Sequence, residues 1–112
     1  MKELILSNKL LQFKINENVF EVDADTPEIM AIVSEFNDKV QEMAKIADVH
    51  EKIKTLCTLT TEYIDKIFGD GASNKIFGKS IRFTHCSQVC SYVFDTFTEY
   101  WNETTKALKE NA

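Results

Sequence analysis

The stretch "IDKIFGDGASNKIFG", residues 64–78, decides how the chain must be organised. It holds all three glycines and nearly says the same thing twice, as DKIFG and then as NKIFG. A phosphate loop of the Walker type needs a longer glycine spacing closed by Lys-Ser or Lys-Thr, and this stretch has neither. Glycine does adopt the positive-φ backbone that ends helices. The segment therefore reads as punctuation. Gly69 takes a left-handed conformation and terminates one helix, and Asp70-Gly71 completes the reversal. Ser73 then caps one more helical turn, in which Ile76 and Phe77 reach the core, and Gly78 ends it. A repeat offset this short excludes a solenoid.

Working upstream, no glycine or proline lies between Pro27 and Gly69. Asp25 is placed to cap a helix with Pro27 in its first turn and Glu28 three residues after the cap. Apolar residues follow at Ile29, Val33, Phe36, Val40, Met43 and Ala47, in steps of four and three that make a helix seam. A second seam runs from Ile53 through Leu56, Cys57, Tyr63 and Ile64 to Ile67 and Phe68. The two seams are out of phase between Ile46 and His50, where Asp48 and Glu51 offer a fresh capping box. The spacing predicts two helices, about 26–47 and 49–68, with one long kinked helix as the alternative. Before them, Phe13, Ile15, Phe20 and Val22 alternate with polar neighbours as a β-hairpin over about 10–23 would. With Glu17-Asn18 at its tip, Ile15 faces Phe20, Phe13 faces Val22 and Lys14 faces Glu21. A hairpin alone is marginal, so a helix or another chain must cover its apolar face.

Downstream, a short helix at 73–78 leads to a last helix over about 84–109. Its stripe comprises Cys86, Val89, Cys90, Val93, Phe94, Phe97 and Trp101. The expected fold is thus a mainly α, single-domain bundle: three long helices and a short helical turn, with an N-terminal hairpin. At 112 residues and 44% hydrophobic, the chain can bury one modest core.

Composition and charge narrow the function classes. A net charge of −5 argues against nucleic acid as a partner. Five acids and no base lie between Ile15 and Glu28, whereas Gly71 to Phe94 carries Lys75, Lys79 and Arg82 and no acid. Such opposed patches can pair within the fold or between copies, so a homo-oligomer stays open. The apolar runs are too short to cross a bilayer. The opening MKELILSNKLLQF lacks the form of a signal peptide, so the chain is expected to stay where it is made. The three cysteines are expected to be reduced, as in a cytosolic protein.

Candidate sites each have a plainer reading. Asp95, Glu99 and Glu103 step by four, which for three carboxylates suggests a cation site. At about 100° per residue they fall opposite the apolar stripe, so a solvated face is the better reading. His85, Cys86 and Cys90 suggest a soft-metal cluster, but zinc wants at least three convergent ligands. His85 points away from the two cysteines, and Cys57 or His50 would have to come from another helix. Buried thiols fit better. Asp23 to Glu28 lacks the central glycine and distal glutamate of a calcium loop. No catalytic constellation, metal site or cofactor site is expected, and the chain reads as a non-enzyme.

The acidic helical chain, its FKINENVFEVDAD hairpin and the glycine segment resemble tail assembly chaperones of long-tailed phages and prophages of Gram-positive bacteria. The distinctive positions are Phe68, Gly69, Asp70, Gly71, Lys75, Phe77 and Gly78. The resemblance implies a non-enzymatic protein that binds the tape-measure protein while tail-tube subunits polymerise. It would act in the cytoplasm of the bacterial host and be absent from the mature virion. The family also often makes a longer, frameshifted product. Client contacts are expected among Phe13 and Phe20 of the hairpin, Ile76 and Phe77 of the short turn, and Tyr100 and Trp101 near the end of the last helix. Core packing is the plainer reading of each. The competing reading is a phage-encoded acidic inhibitor that binds a host protein by mimicking nucleic acid, with its acids in a phosphate-like row.

Overall fold

The structure, a computed structural model, describes residues 1–110. It is mainly helical with one antiparallel hairpin, as the sequence predicts. The elements run β1 (Leu11–Ile15), β2 (Asn18–Val22), α1 (Pro27–Met43), α2 (Val49–Phe68), α3 (Ala72–Phe77) and α4 (Phe83–Glu110). Helix α2 is the centre of the bundle and packs against α1, α3, α4 and β2.

The hairpin differs from expectation in register. Phe13 faces Phe20, Ile15 faces Asn18, Lys14 faces Val19 and Glu21 faces Gln12. The tip is Asn16-Glu17, with φ of 48° and 71°. Positive φ at both positions is the pattern of a type I′ turn, one of the two that match the right-handed strand twist, and Asn tolerates that conformation better than most residues. The correction moves each partner by two positions, so it leaves every side chain on its expected face. Phe13, Ile15 and Val22 are buried and Phe20 is half-buried.

Helix α1 starts and stops differently from its sequence reading. Its cap is Thr26, whose hydroxyl accepts from the Ile29 N–H at 3.4 Å, with Pro27 as the first helical residue. Asp25 is turned away to accept a hydrogen bond from the Tyr100 hydroxyl. The helix ends at Met43, so Ala47 is exposed and Ile46 packs against the core instead. Asp48 then caps α2 by accepting from the Glu51 N–H at 3.1 Å. Two helices are present rather than one kinked helix.

The glycine segment turns two corners. Gly69 has φ +108° and ψ 160°, an extended positive-φ conformation open only to glycine, in place of the left-handed helical one expected. Gly71 is the left-handed residue and begins α3. Ser73 does not cap α3. Its N–H and its hydroxyl both bond the Asp65 carboxylate, at 2.8 and 3.1 Å, which pins the short helix to the last turn of α2. Ile76 and Phe77 are buried from there.

The core between hairpin and helices is aromatic. The Phe13 ring lies 4.9 Å from Phe68 and 5.0 Å from Phe97, while Phe20 stacks on Phe68. A second layer between the helices stacks Phe36 on Tyr63, with Phe94 tilted against Phe36. Three hydrogen bonds fasten the N-terminal region to α4. The Lys14 N–H donates to the Tyr92 hydroxyl at 3.0 Å, the Tyr100 hydroxyl donates to Asp25 at 2.7 Å, and Trp101 Nε1 donates to the Ala24 carbonyl at 2.9 Å. They act as a clamp on the strands.

Candidate functional site

The cysteines lie between α2 and α4. Cys86 and Cys90 are buried and Cys57 is half-buried. Thr60, fully buried, donates to the Leu56 carbonyl at 2.7 Å and lies 3.3 Å from Cys90 Sγ. Burial pushes the Cys86 thiol up to about 12, with Cys57 beside it adding to the shift. Burial also raises Cys90, and Thr60 opposes it. A thiol held in its protonated form is a poor nucleophile and a poor metal ligand. His85 is exposed on another side of α4, so it does not join Cys86 and Cys90. Among the described residues no group of three or more His, Cys, Asp or Glu could hold a metal ion. Asp95, Glu99 and Glu103 are all exposed.

The expected client contacts divide by burial. Phe13 is wholly buried, Ile76 and Phe77 nearly so, and Phe20 is half-covered by its stack on Phe68. Tyr100 and Trp101 are half-buried and engaged with Asp25 and the Ala24 carbonyl. The hydrogen bond to Asp25 raises the Tyr100 phenol, because it favours the protonated hydroxyl. These six residues form no shared surface. They are spread over the hairpin, α3 and the far part of α4.

What the fold does bring together is an open groove of about 330 Å³ bounded by the hairpin tip, α3 and the first half of α4. Its floor is apolar: Ile15 from β1, Ile76 and Phe77 from α3, and Val89 from α4, each less than a tenth exposed. Its rim is polar, with Lys14, Asn16, His85, Gln88 and Tyr92. No acid lines it, because its α3 and α4 walls come from the acid-free span from Gly71 to Phe94. The hairpin tip is held in place by the Lys14–Tyr92 bond and by Asn18, whose side-chain amide donates to the Lys75 carbonyl at 3.4 Å. Ile76 and Phe77 thus belong to a surface feature while remaining largely packed.

Sequence reasoning did not find the rim. Tyr92 carried a signal, since it is a large aromatic on α4 outside the apolar stripe, and such a residue usually has a polar partner. Glu35 was also missed. It accepts from the buried Tyr63 at 2.6 Å and pairs with Lys39 at 3.3 Å. These contacts hold the Glu35 carboxyl below its usual value, the Tyr63 bond most of all. Lys39 is raised in turn, with Tyr63 and then Glu35 the chief causes. Lys66 lies 4.5 Å from the Tyr63 ring centre. The network ties α1 to α2.

Among the described residues no helix is long and apolar enough to cross a membrane. A protein family described as a family of unknown function, DUF6673, matches residues 16–111. No curated protein and no solved structure shows significant similarity to the chain.

Proposed function

The chain belongs to the DUF6673 family, whose function is unknown, and we propose, on the geometry of its groove, that it is a non-enzymatic chaperone that binds a helical client protein. The client class is that of phage tail assembly: the tape-measure protein, held while tail-tube subunits polymerise. The protein would act in the cytoplasm of the bacterial host and leave before the virion matures.

The observation that carries this reading is the groove with an apolar floor and an acid-free rim. An amphipathic helix docks by placing spaced apolar side chains in such a groove while its polar face stays wet. The volume of about 330 Å³ suits a few anchoring side chains rather than a whole helix, so the client would lie across the opening. Lys14 would meet an acid flanking the anchors, and such a rim contact favours rapid association and correct orientation.

The test is co-expression with a tape-measure protein, followed by pull-down and measurement of client solubility. A complex should form, and Lys14→Glu combined with His85→Glu should weaken it by about tenfold, since the lysine's favourable charge contact becomes repulsive and a second negative charge is added to the rim. The absence of both a complex and any gain in client solubility would overturn the proposal.

A further inference from the structure

The N-terminal arm, residues 1–10, carries apolar side chains that the rest of the molecule does not cover. Leu4, Ile5 and Leu6 are 82%, 81% and 74% exposed. The arm leads directly into β1, but β2 ends at Val22, the partner of Leu11, and the chain then turns into α1. Residues 4–10, in no helix or strand of their own, therefore run on from an edge strand with no strand beside them. Apart from a bond of 3.4 Å from the Lys9 N–H to Ser7 Oγ, no hydrogen bond within the arm is seen among the described residues. An edge of this kind, apolar and unpaired, is a template for another strand.

We infer that the arm pairs with the same arm of a second copy, antiparallel about a two-fold axis through Leu6. The arm's own charges select this partner and this register. With Leu6 opposite Leu6, Glu3 of each copy lies opposite Lys9 of the other, which gives two opposite-charge pairs per dimer. Ile5 then faces Ser7 and Leu4 faces Asn8. Sliding by one step of the pleat in either direction breaks both ion pairs, placing Glu3 opposite Ser7 or Ile5 opposite Lys9. The pleat sends Leu4, Leu6 and Leu10 to one face of the ribbon and Glu3, Ile5, Ser7 and Lys9 to the other. A two-stranded ribbon is only marginally stable, so the dimer is weak and forms with rising concentration. The contact uses no groove residue and does not depend on the identity of a client.

Sedimentation equilibrium of the full chain over a range of concentrations tests this, with circular dichroism to verify that each variant is folded. The wild type should dimerise reversibly. Glu3→Lys and Lys9→Glu should each weaken the dimer by about tenfold, because both ion pairs become repulsive. The double variant Glu3→Lys/Lys9→Glu should restore wild-type affinity, and an equimolar mixture of the two single variants should form a heterodimer. A monomer at every concentration, a dimer indifferent to the reversals, or single losses that the double variant does not repair would each overturn the inference.

Discussion

At the scale of single residues, the cysteines show how place in the fold decides chemistry. Cys86 has no exposed surface, and burial first and Cys57 second push its thiol up to about 12 from an ordinary 9.0. Both causes penalise the thiolate, so raising the pH toward 9 activates an ordinary thiol long before this one. With iodoacetamide at about pH 8, the native protein should gain one adduct, at half-buried Cys57. The chain in denaturant should gain three. Peptide mapping by mass spectrometry reads the sites, and a Cys86 adduct in the native protein would contradict the assignment. His85 shows the same dependence on place, because one step along α4 from Cys86 carries it to the rim of the groove.

At the scale of elements, the hairpin turn holds stored strain. Glu17 sits at φ 71°, where a side chain is disfavoured and glycine is not. Glu17→Gly should therefore stabilise the protein by up to about 1 kcal/mol, since Asn-Gly is the preferred pair for this turn. Urea unfolding checks the sign; destabilisation would mean that the Glu17 side chain makes a contact outweighing its backbone strain. The same turn shows where reading the sequence succeeds and where it fails. Phe13, Ile15, Phe20 and Val22 were legible as one face because alternation survives a shift of partner by two. The pairing itself was not legible, because it depends on whether Asn16 or Asn18 takes the turn. The extents of α2 and α4 were plain in their apolar spacing and in the glycines between them. Helix α1 was overextended because Ala47 continues the period although the helix has already ended. The groove was hidden for another reason. Lys14, Phe77 and His85 come from three elements, and no local pattern encodes how those elements meet.

At the scale of the whole molecule, the chain is long rather than round. Its radius of gyration is 16.4 Å and its extents are 63 × 29 × 19 Å, whereas a compact domain of this length would have a radius near about 13 Å. The arm and α4 draw it out. The hairpin stays on this frame through aromatic packing and the bonds from Tyr92, Tyr100 and Trp101. Trp101→Phe keeps most of the ring but loses the bond to the Ala24 carbonyl, and should cost about 1 kcal/mol. Hydrogen exchange in residues 11–22 should accelerate in this variant before that of α2; uniform acceleration would show that the bond steadies the whole bundle. Those three bonds join residues 78, 75 and 77 positions apart. On the ribosome, the strands emerge first; Phe68 of α2 can cover Phe13 and Phe20 early, but the bonds to Tyr92, Tyr100 and Trp101 wait until most of α4 has been synthesised. Forming them means closing loops of well over half the chain, and contacts of such separation are the slow ones to form. A nascent copy thus displays bare β-edges among its crowded siblings, the interval in which mispairing between chains competes with maturation.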